Sequence, residues 1–404
     1  AAATARRARR TVGDPRTTLL HPPRRRSRAR RSHYSPCTRC LPSRPSAACA
    51  RCASLLRAGP PLRRPGTHCH PSGRSRHVQL QGQSWAAVER ALLGLPSSFQ
   101  GLAHLGGARQ VLPAPPRHWV GNGFHVYPVF HDKAFTAEVS PWLMFDYGAP
   151  KEFSPTTSRR GVGQHPHRGF ETVTIAFQGE VEHGDSVGNR DVIGPGDVQW
   201  MTAARGVVHE EFHSTEFSKK GGTFEMAQLW LNLPKAAKMG PPRYQAITKA
   251  TIPQVFLGGE SCGAAGAPDD ASYVRVIAGS FQGNQGPAQT TTPVELWDIY
   301  IATQGEAHEL PLPDGHTAIV FVREGSALVG PAGAEQELGP QAVALLDRSG
   351  DGLRFVSAAP GTKLLLLGGA PINEPIAARG PFVMNTMQEI AQANEDFHAG
   401  RLGR

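Results

Sequence analysis

The stretch that decides the fold is Gly163–Gly179, with the sequence GQHPHRGFETVTIAFQG. Its second half is rich in Thr, Val, Ile and Phe and ends at a glycine, which is typical of a β-strand bounded by a turn. Residues two apart on an extended chain point to the same side, so His165 and His167 are expected to share a face. Val173 and Ile175 would lie on that face too if the strand is unbroken. Two imidazoles that face a barrel interior need polar partners, which a divalent metal ion would supply.

A second candidate segment, Gly206–His213 with the sequence GVVHEEFH, follows about 40 residues later. That distance fits a few short antiparallel strands. His209 and Glu211 are again two apart, so a second strand would add one imidazole and one carboxylate to the same centre. Three neutral imidazoles and one carboxylate around a 2+ ion leave a net charge of +1 and open positions for water or substrate. The sequence therefore predicts metal ligands at His165, His167, His209 and Glu211.

The same residues also match a rival motif. His209-Glu210-Glu211-Phe212-His213 has the H-E-x-x-H pattern of zinc proteases, in which a helix brings both histidines to one face and Glu210 would be the general base. The glycine and two valines before His209 favour a strand instead. The strand interpretation uses Glu211 rather than Glu210, and it also explains His165 and His167.

From residue 117 onward, short runs of Val, Ile, Thr, Phe and Trp alternate with turns such as GNG at 121–123 and PDG at 313–315. Many short strands divided in this way predict an all-β sandwich or barrel. Two β blocks, 117–240 and 271–404, are separated by a Gly-, Ala- and Pro-rich connection at 241–270. Residues 85–116 are expected to be a further linker, with a short amphipathic helix near its start. Two similar blocks in tandem predict a duplicated barrel.

One long helix is expected, at the C-terminal end. Thr386 and Glu389 have the spacing of a capping box, and Ile390, Ala393 and Phe397 form one apolar stripe. The second β block contains no H-x-H pair, so we expect its barrel to be metal-free and to serve packing.

The first 80 residues differ from the rest in composition. They hold 19 of the 43 Lys and Arg and one acidic residue, a formal charge of +18 against −8 for the remainder. We expect a disordered tail over 1–84, since such a segment cannot bury enough apolar surface to offset its ordering entropy. Cys37-x2-Cys40 and Cys49-x2-Cys52 have the paired spacing of zinc ligands. Strand or turn signals do not surround these pairs, so a zinc site is not expected there.

Three interpretations of the tail stay open: an organelle transit peptide, a nuclear-import or nucleic-acid-binding patch, and a non-functional extension. A plastid or mitochondrion is slightly favoured over nucleus or cytoplasm. The acidic body is not expected to bind nucleic acid. Apolar runs stay far below the ~20 residues that span a bilayer, so no membrane association is expected.

Several motifs, in order, closely resemble those of the pirin family of the cupin superfamily. The resemblance runs from about His118 to the C-terminus and rests on HPHRGFETV at 165–173, PGDVQWMTA at 195–203, RGVVHEE at 205–211, QLWLNLP at 228–234 and GPFVMNT at 380–386. It implies a bicupin of two jelly-roll barrels, with one metal ion in the first barrel held by His165, His167, His209 and Glu211. It also implies that Glu171 supports these ligands without binding the ion. His183 is expected to be an exposed hairpin residue.

The resemblance implies two functions. The first is a dioxygenase of the quercetin 2,3-dioxygenase type that acts on a flavonol-like aromatic and O₂, with Glu211 as ligand and catalytic base. The second is a non-catalytic, iron-dependent regulatory protein that binds a protein partner. Fe²⁺ is implied as the cofactor, although this ligand set would accept several divalent metals. A monomer is expected.

Overall fold

Runs of β-branched and aromatic residues between glycine turns form strands throughout the residues that the computed structural model describes, which are 105–131, 136–257 and 271–403. The first strands are β1 (Ala108–Leu112), β2 (His118–Val120), β3 (Phe124–Phe130), β4 (Trp142–Phe153), β5 (Gly161–His167), β6 (Phe170–Gln178), β7 (Val181–Asp185), β8 (Arg190–Ile193), β9 (Val198–Thr202), β10 (Val207–His213), β11 (Gly222–Asn232), β12 (Arg243–Ile247) and β13 (Gln254–Phe256).

The second half continues the pattern, with helices confined to connections and the C-terminal end. Its strands are β14 (Tyr273–Ala278), β15 (Ser280–Phe281), β16 (Asn284–Gln285), β17 (Val294–Ile301), β18 (Ala307–Pro311), β19 (Thr317–Glu324), β20 (Ala327–Val329), β21 (Gln336–Leu338), β22 (Val343–Leu346), β23 (Gly352–Ser357), β24 (Thr362–Gly369), β25 (Ala377–Arg379) and β26 (Phe382–Met384). The α-helices are α1 (Thr136–Val139), α2 (Thr215–Lys220), α3 (Lys235–Lys238) and α4 (Met387–His398), and a 3₁₀ turn covers Lys249–Thr251.

The strands form two barrels, each with a seven-stranded and a four-stranded antiparallel sheet. In the first barrel the sheets run β12-β9-β6-β11-β4-β3-β2 and β5-β10-β7-β8. In the second barrel they run β1-β22-β19-β24-β17-β14-β13 and β18-β23-β20-β21. The predicted all-β bicupin fold is confirmed.

The two seven-stranded sheets pack against each other, and strand alternation separates three apolar layers. Residues such as Val173 and Leu229 of the first barrel share one cluster with Phe321 and Leu365 of the second. The intervening residues fill each barrel's own interior. Successive side chains on one strand therefore alternate between the inter-barrel layer and a barrel interior, and this alternation is called the parity of a position.

A buried ionic network crosses between the barrels. Arg323 Nη2 donates to Glu225 of the first barrel at 2.8 Å, and its Nη1 donates to Asp298 at 2.9 Å. Tyr147 Oη donates to the same Glu225 at 2.7 Å. The arginine thus neutralises one buried carboxylate from each barrel.

Both predicted linkers were wrong in part. Residues 108–112 form β1, an edge strand of the second barrel that pairs with β22. In the segment 241–270, β12 pairs with β9 and β13 pairs with β14. These strands are short and lie at sheet edges, where nearby Pro and Gly are tolerated. Their sequences therefore have the composition of a linker. The predicted helix near residue 85 and the cysteine pairs of the tail lie outside the described residues.

The predicted C-terminal helix is confirmed, and its cap has the predicted form. The Thr386 side chain accepts from the backbone N–H of Glu389, and the Glu389 carboxylate accepts from the backbone N–H of Thr386. Ile390 and Ala393 are buried, together with Phe382 and Leu402. Helices long and apolar enough to cross a membrane are not found among the described residues.

Candidate metal centre

Three imidazoles meet between β5 and β10. These strands pair antiparallel, with His209 directly opposite His165 and Val207 opposite His167. The ring centroid of His209 lies 4.3 Å from that of His165 and 4.8 Å from that of His167. One nitrogen from each of the three rings lies within 4.8 Å of the others. The strand alternation expected from the sequence thus brings the three side chains to one point.

Two of these rings are oriented by backbone carbonyls. His165 Nδ1 lies 2.9 Å from the carbonyl oxygen of Gly163, and His167 Nδ1 lies 3.3 Å from that of Pro381. A carbonyl oxygen can only accept, so each Nδ1 carries the proton and donates. The lone pair of each Nε2 is therefore free for another partner.

The third ring is oriented by a chain of side chains. The Asp185 carboxylate accepts from His183 Nε2 at 3.1 Å, which leaves His183 Nδ1 as an acceptor. Gln199 Nε2 lies 3.2 Å from that acceptor and His209 Nδ1 lies 3.4 Å from it, and a proton on His209 Nδ1 is what makes the second contact favourable. Backbone N–H groups of Val187 and Asn189 hold the carboxylate in turn. His209 therefore has the same tautomer as its two neighbours.

The remaining nitrogen of His209 is the sharpest indication of a ligand. His209 Nε2 is fully buried and has no hydrogen-bond partner among the described residues. A buried polar atom without a partner costs free energy, and native proteins rarely leave one. Three imidazole nitrogens within 4.8 Å of one another are satisfied by a cation, so the residues present fit a metal ion.

The charge states suit the same conclusion. Burial, followed by the neighbouring histidines, lowers the pKa of His167 to about 3 and holds that of His209 well below its usual value. Although burial opposes it, hydrogen bonds from His183 and Asn189 keep the pKa of Asp185 low. The imidazoles of His167 and His209 are thus neutral and the carboxylate of Asp185 is anionic at neutral pH.

Glu211 lies on the same face of β10 and is held by three polar side chains. Gln228 Nε2 donates to its Oε2 at 3.1 Å, Gln199 Nε2 donates to its Oε1 at 3.2 Å, and the Thr174 hydroxyl lies 3.1 Å from Oε1. With His183 and His209 it forms a second group whose ligand atoms lie within 4.8 Å of one another. Glu211, His165 and His167 line one cavity of about 330 Å³.

The expectation for His183 was wrong. Instead of an exposed hairpin residue it is fully buried, opposite Glu211 in the β7–β10 pairing. The alternation of His183 and Asp185 in the sequence EVEHGD was the only signal for it. Gln199 and Gln228, which hold Glu211, were likewise not identified from the sequence.

The strand is broken after His167, so the condition on which Val173 and Ile175 would share the face of the histidines is not met. β5 ends at His167, and β6 starts at Phe170 after Gly169, whose φ of +89° favours glycine. This break reverses the parity, so Val173 and Ile175 lie in the inter-barrel layer while Thr174 reaches Glu211 inside the barrel.

Glu171 shares the parity of Val173 and accepts from the Thr202 hydroxyl at 2.6 Å. It belongs to neither group of candidate ligands among the described residues. Burial raises its pKa. A supporting role for Glu171 at the metal stays a prediction, and its contact to Thr202 points away from the ligands.

The strand interpretation of HEEFH is confirmed, because residues 207–213 form β10. The helical face that a zinc protease needs is therefore missing from this segment. His213 shares the inward face, but its Nε2 donates to the carbonyl of Gly123 at 2.9 Å and its ring stacks on Phe224. Glu210 lies on the other face, where it accepts from Arg159 and Arg190.

The C-terminal segment closes the site from the outside. The backbone N–H of Val383 donates to the carbonyl of Arg168, and Arg168 Nη1 donates to Asp396 on α4 at 2.8 Å. The buried Lys238 Nζ donates to the carbonyls of Gly169 and Val383 at 2.7 and 3.1 Å. These contacts position Pro381, whose carbonyl orients His167.

Two stacked antiparallel barrels, with a His and Glu cluster inside the first, define a bicupin with a candidate metal centre. Comparison with known families agrees: the Pirin family model matches residues 123–231, and the Pirin C-terminal cupin domain model matches residues 296–403. The chain belongs to the pirin family.

The chain matches several named relatives over most of their length. A Pseudomonas aeruginosa protein provisionally named a quercetin 2,3-dioxygenase is 50% identical over 288 residues, which are 71% of this chain and 95% of that protein. Mouse pirin is 35% identical over 267 residues, which are 66% of this chain and 83% of that protein. The crystal structure of quercetin 2,3-dioxygenase from Acinetobacter baumannii has 46% identity and a TM-score of 0.68, and the match covers 74% of this chain and 98% of that one.

Proposed function

We propose that this chain is a metal-dependent dioxygenase of the quercetin 2,3-dioxygenase type, with one Fe²⁺ held by His165, His167, His209 and Glu211. The observation that carries the proposal is the buried, unpartnered Nε2 of His209, which converges with the imidazoles of His165 and His167 at the wall of a ligand-sized cavity. Two relatives named above carry the name of this enzyme, one of them provisionally.

A bound divalent ion would supply Lewis acidity toward an enolic hydroxyl and redox chemistry with O₂. The residues of the chain supply the remaining parts. Imidazoles fixed through their Nδ1 atoms keep three nitrogen ligands in place without reorganisation. Burial keeps the pKa of His167 near 3, so a proton does not compete with the metal ion for this imidazole at neutral pH.

Glu211 is suited to take up the substrate's hydroxyl proton. Its Oε1 accepts from Gln199 and its Oε2 accepts from Gln228, while the single hydroxyl proton of Thr174 has a shorter contact to Gln228 Oε1, at 2.7 Å. A carboxylate oxygen has two lone pairs, so Oε2 can take up a proton while these amide contacts keep the carboxylate in position. Movement of a proton to Oε2 would leave the substrate as the anion that reacts with O₂.

The cavity walls suit a flat aromatic molecule. The indole of Trp230 lines it together with four apolar side chains of β2, β3 and β11, which are Val120, Phe124, Val126 and Met226. Apolar walls that carry a few polar groups are typical of small-molecule sites.

Aerobic turnover of quercetin tests the proposal. Iron-loaded protein should consume flavonol absorbance and release CO, and His167→Ala should remove both signals. Glu211→Gln should reduce turnover at least 100-fold, since it removes the proton acceptor. Glu210→Gln is the matched control on the opposite face of the same strand and should keep wild-type turnover. Turnover that survives His167→Ala contradicts the proposal, and stoichiometric iron without turnover would favour the regulatory alternative.

A further inference from the structure

A second cavity of about 350 Å³ adjoins the candidate metal cavity. Met144, Asp146 and Trp230 line both cavities and form the wall between them. Met144 and Asp146 are two apart on β4, whereas Phe145 and Tyr147 point into the inter-barrel layer. Strand alternation thus fixes this shared wall, and Asp146 is its one ionisable group.

Asp146 has no structural partner that accounts for it. Its carboxylate makes no hydrogen bond or ion pair with any other described residue, although the side chain is half-buried. Burial raises its pKa to about 7. A carboxyl group in such a place costs folding free energy, which a ligand that hydrogen-bonds to it would offset.

The position of Asp146 connects it to the metal cavity. It lies directly opposite Gln228 in the β4–β11 pairing, and Gln228 donates to Glu211 Oε2. On its other side it faces Pro128, which has no backbone N–H to donate. One residue therefore separates Asp146 from the proposed proton acceptor.

The hairpin formed by β25 and β26, residues 377–384, is called the C-terminal ribbon, and it closes both cavities. Pro381 lines the inner cavity and Arg379 and Gly380 line the outer one, across the turn that joins β25 and β26. His118 and His131 complete the rim of the outer cavity. The outer cavity thus offers an indole face, one carboxylate acceptor and cationic or imidazole donors, which together suit an oxygen-rich aromatic group.

From this geometry we infer that the outer cavity is a substrate subsite for the part of a polyhydroxylated aromatic that lies away from the metal, and that Asp146 accepts a hydrogen bond from its hydroxyl. The inference rests on the proposed function for the class of substrate. The inner cavity, at about 330 Å³, lies at the small end of ligand pockets and must also hold the metal's open positions. The outer cavity adds about 350 Å³ beside it for the far ring of a three-ring substrate.

Equilibrium binding without oxygen tests the subsite separately from catalysis. The probes are 3-hydroxyflavone, galangin and quercetin, which share the chelating hydroxyl and carry none, two and four further hydroxyls. We expect the iron-loaded protein to bind at least one hydroxylated probe about tenfold more tightly than 3-hydroxyflavone, measured by quenching of tryptophan fluorescence. Asp146→Leu, which removes both acceptor oxygens, should reduce that preference to less than twofold. Met144→Leu, which alters the same wall without removing a polar group, should shift all three affinities by the same factor.

Each outcome decides the inference. A wild-type protein without the preference, or an Asp146→Leu variant that keeps it, overturns the subsite, and so does failure to bind any probe. Should Asp146→Leu not fold, Asp146→Ala is judged by the same criterion. Aerobic turnover is then measured on the same samples. Hydroxyl preference without turnover would overturn the proposed function and keep the subsite, whereas turnover with an unchanged preference in the variant would do the reverse.

Discussion

Replacing Gly169 by alanine is expected to weaken metal binding, although Gly169 is none of the proposed ligands. A Cβ at this position would lie 1.9 Å from the carbonyl oxygen of Val383, and the φ of +89° is unfavourable for any residue with a Cβ. The left-handed conformation costs about 1–2 kcal/mol for alanine. Relief of the contact needs a shift of roughly 1.5 Å in the C-terminal ribbon, since ordinary contacts begin near 3.4 Å.

That shift acts on the metal through Pro381. The Pro381 carbonyl accepts the proton of His167 Nδ1 at 3.3 Å, so a displaced ribbon leaves this imidazole without its orienting partner. Loss of such a partner typically costs about 10–100-fold in metal affinity. We therefore expect Gly169→Ala to bind Fe²⁺ at least tenfold more weakly and to lose about 2–3 kcal/mol of stability, the conformational cost plus one hydrogen bond.

Competition with a chromogenic chelator measures the metal dissociation constant, below the unfolding temperature of every variant. Gly163→Ala is the matched control, because a Cβ there meets nothing within 4 Å and the Gly163 carbonyl that orients His165 stays. Gly163→Ala should bind metal like the wild type. The reasoning is refuted if Gly169→Ala stays within twofold of the wild type, or if both variants lose affinity equally.

Three further predictions concern groups around the site. His183→Phe removes the acceptor for His209 Nδ1 and should weaken metal binding about 10–100-fold while one ion per chain still binds at saturation, as titration with Fe²⁺ will show. Arg323→Met leaves two buried carboxylates without their cationic partner, so the free energy of unfolding measured with urea should fall by about 3–5 kcal/mol with unchanged metal content. For the metal-free protein, the free energy of unfolding should fall as pH drops from 6.5 toward 3. Histidines of the unfolded chain bind protons near pH 6.5, whereas burial lowers the pKa of His167 to about 3 and that of His213 to about 4 in the folded protein. His213→Phe should reduce this slope, and an unchanged slope would contradict the assignment.

The sequence was sufficient for the parts of the site that depend on one strand at a time. Alternation in HPH and HEE placed His165 with His167 and His209 with Glu211, and the preceding Gly and Val residues distinguished a strand from a helix. A period of two reports which residues share a face, and it does so wherever the strand is unbroken.

It was not sufficient for features that depend on pairing between distant segments. Whether His183 is buried follows from the pairing of β7 with β10, which a local turn pattern does not specify. Likewise Pro381 meets His167 across 214 positions of sequence, and β1 joins the second barrel across the whole first one. Gly169 looked like part of a continuous strand, because the contact that demands glycine there comes from Val383.

Metal analysis of protein purified without chelator tests the central claim most directly, that His165, His167, His209 and Glu211 hold one cation. Elemental mass spectrometry should find close to one iron per chain in the wild type and less than a tenth of that in His209→Ala, with both proteins folded by circular dichroism. A folded wild type without stoichiometric metal, or a His209→Ala variant that keeps its full complement, would contradict the proposed centre.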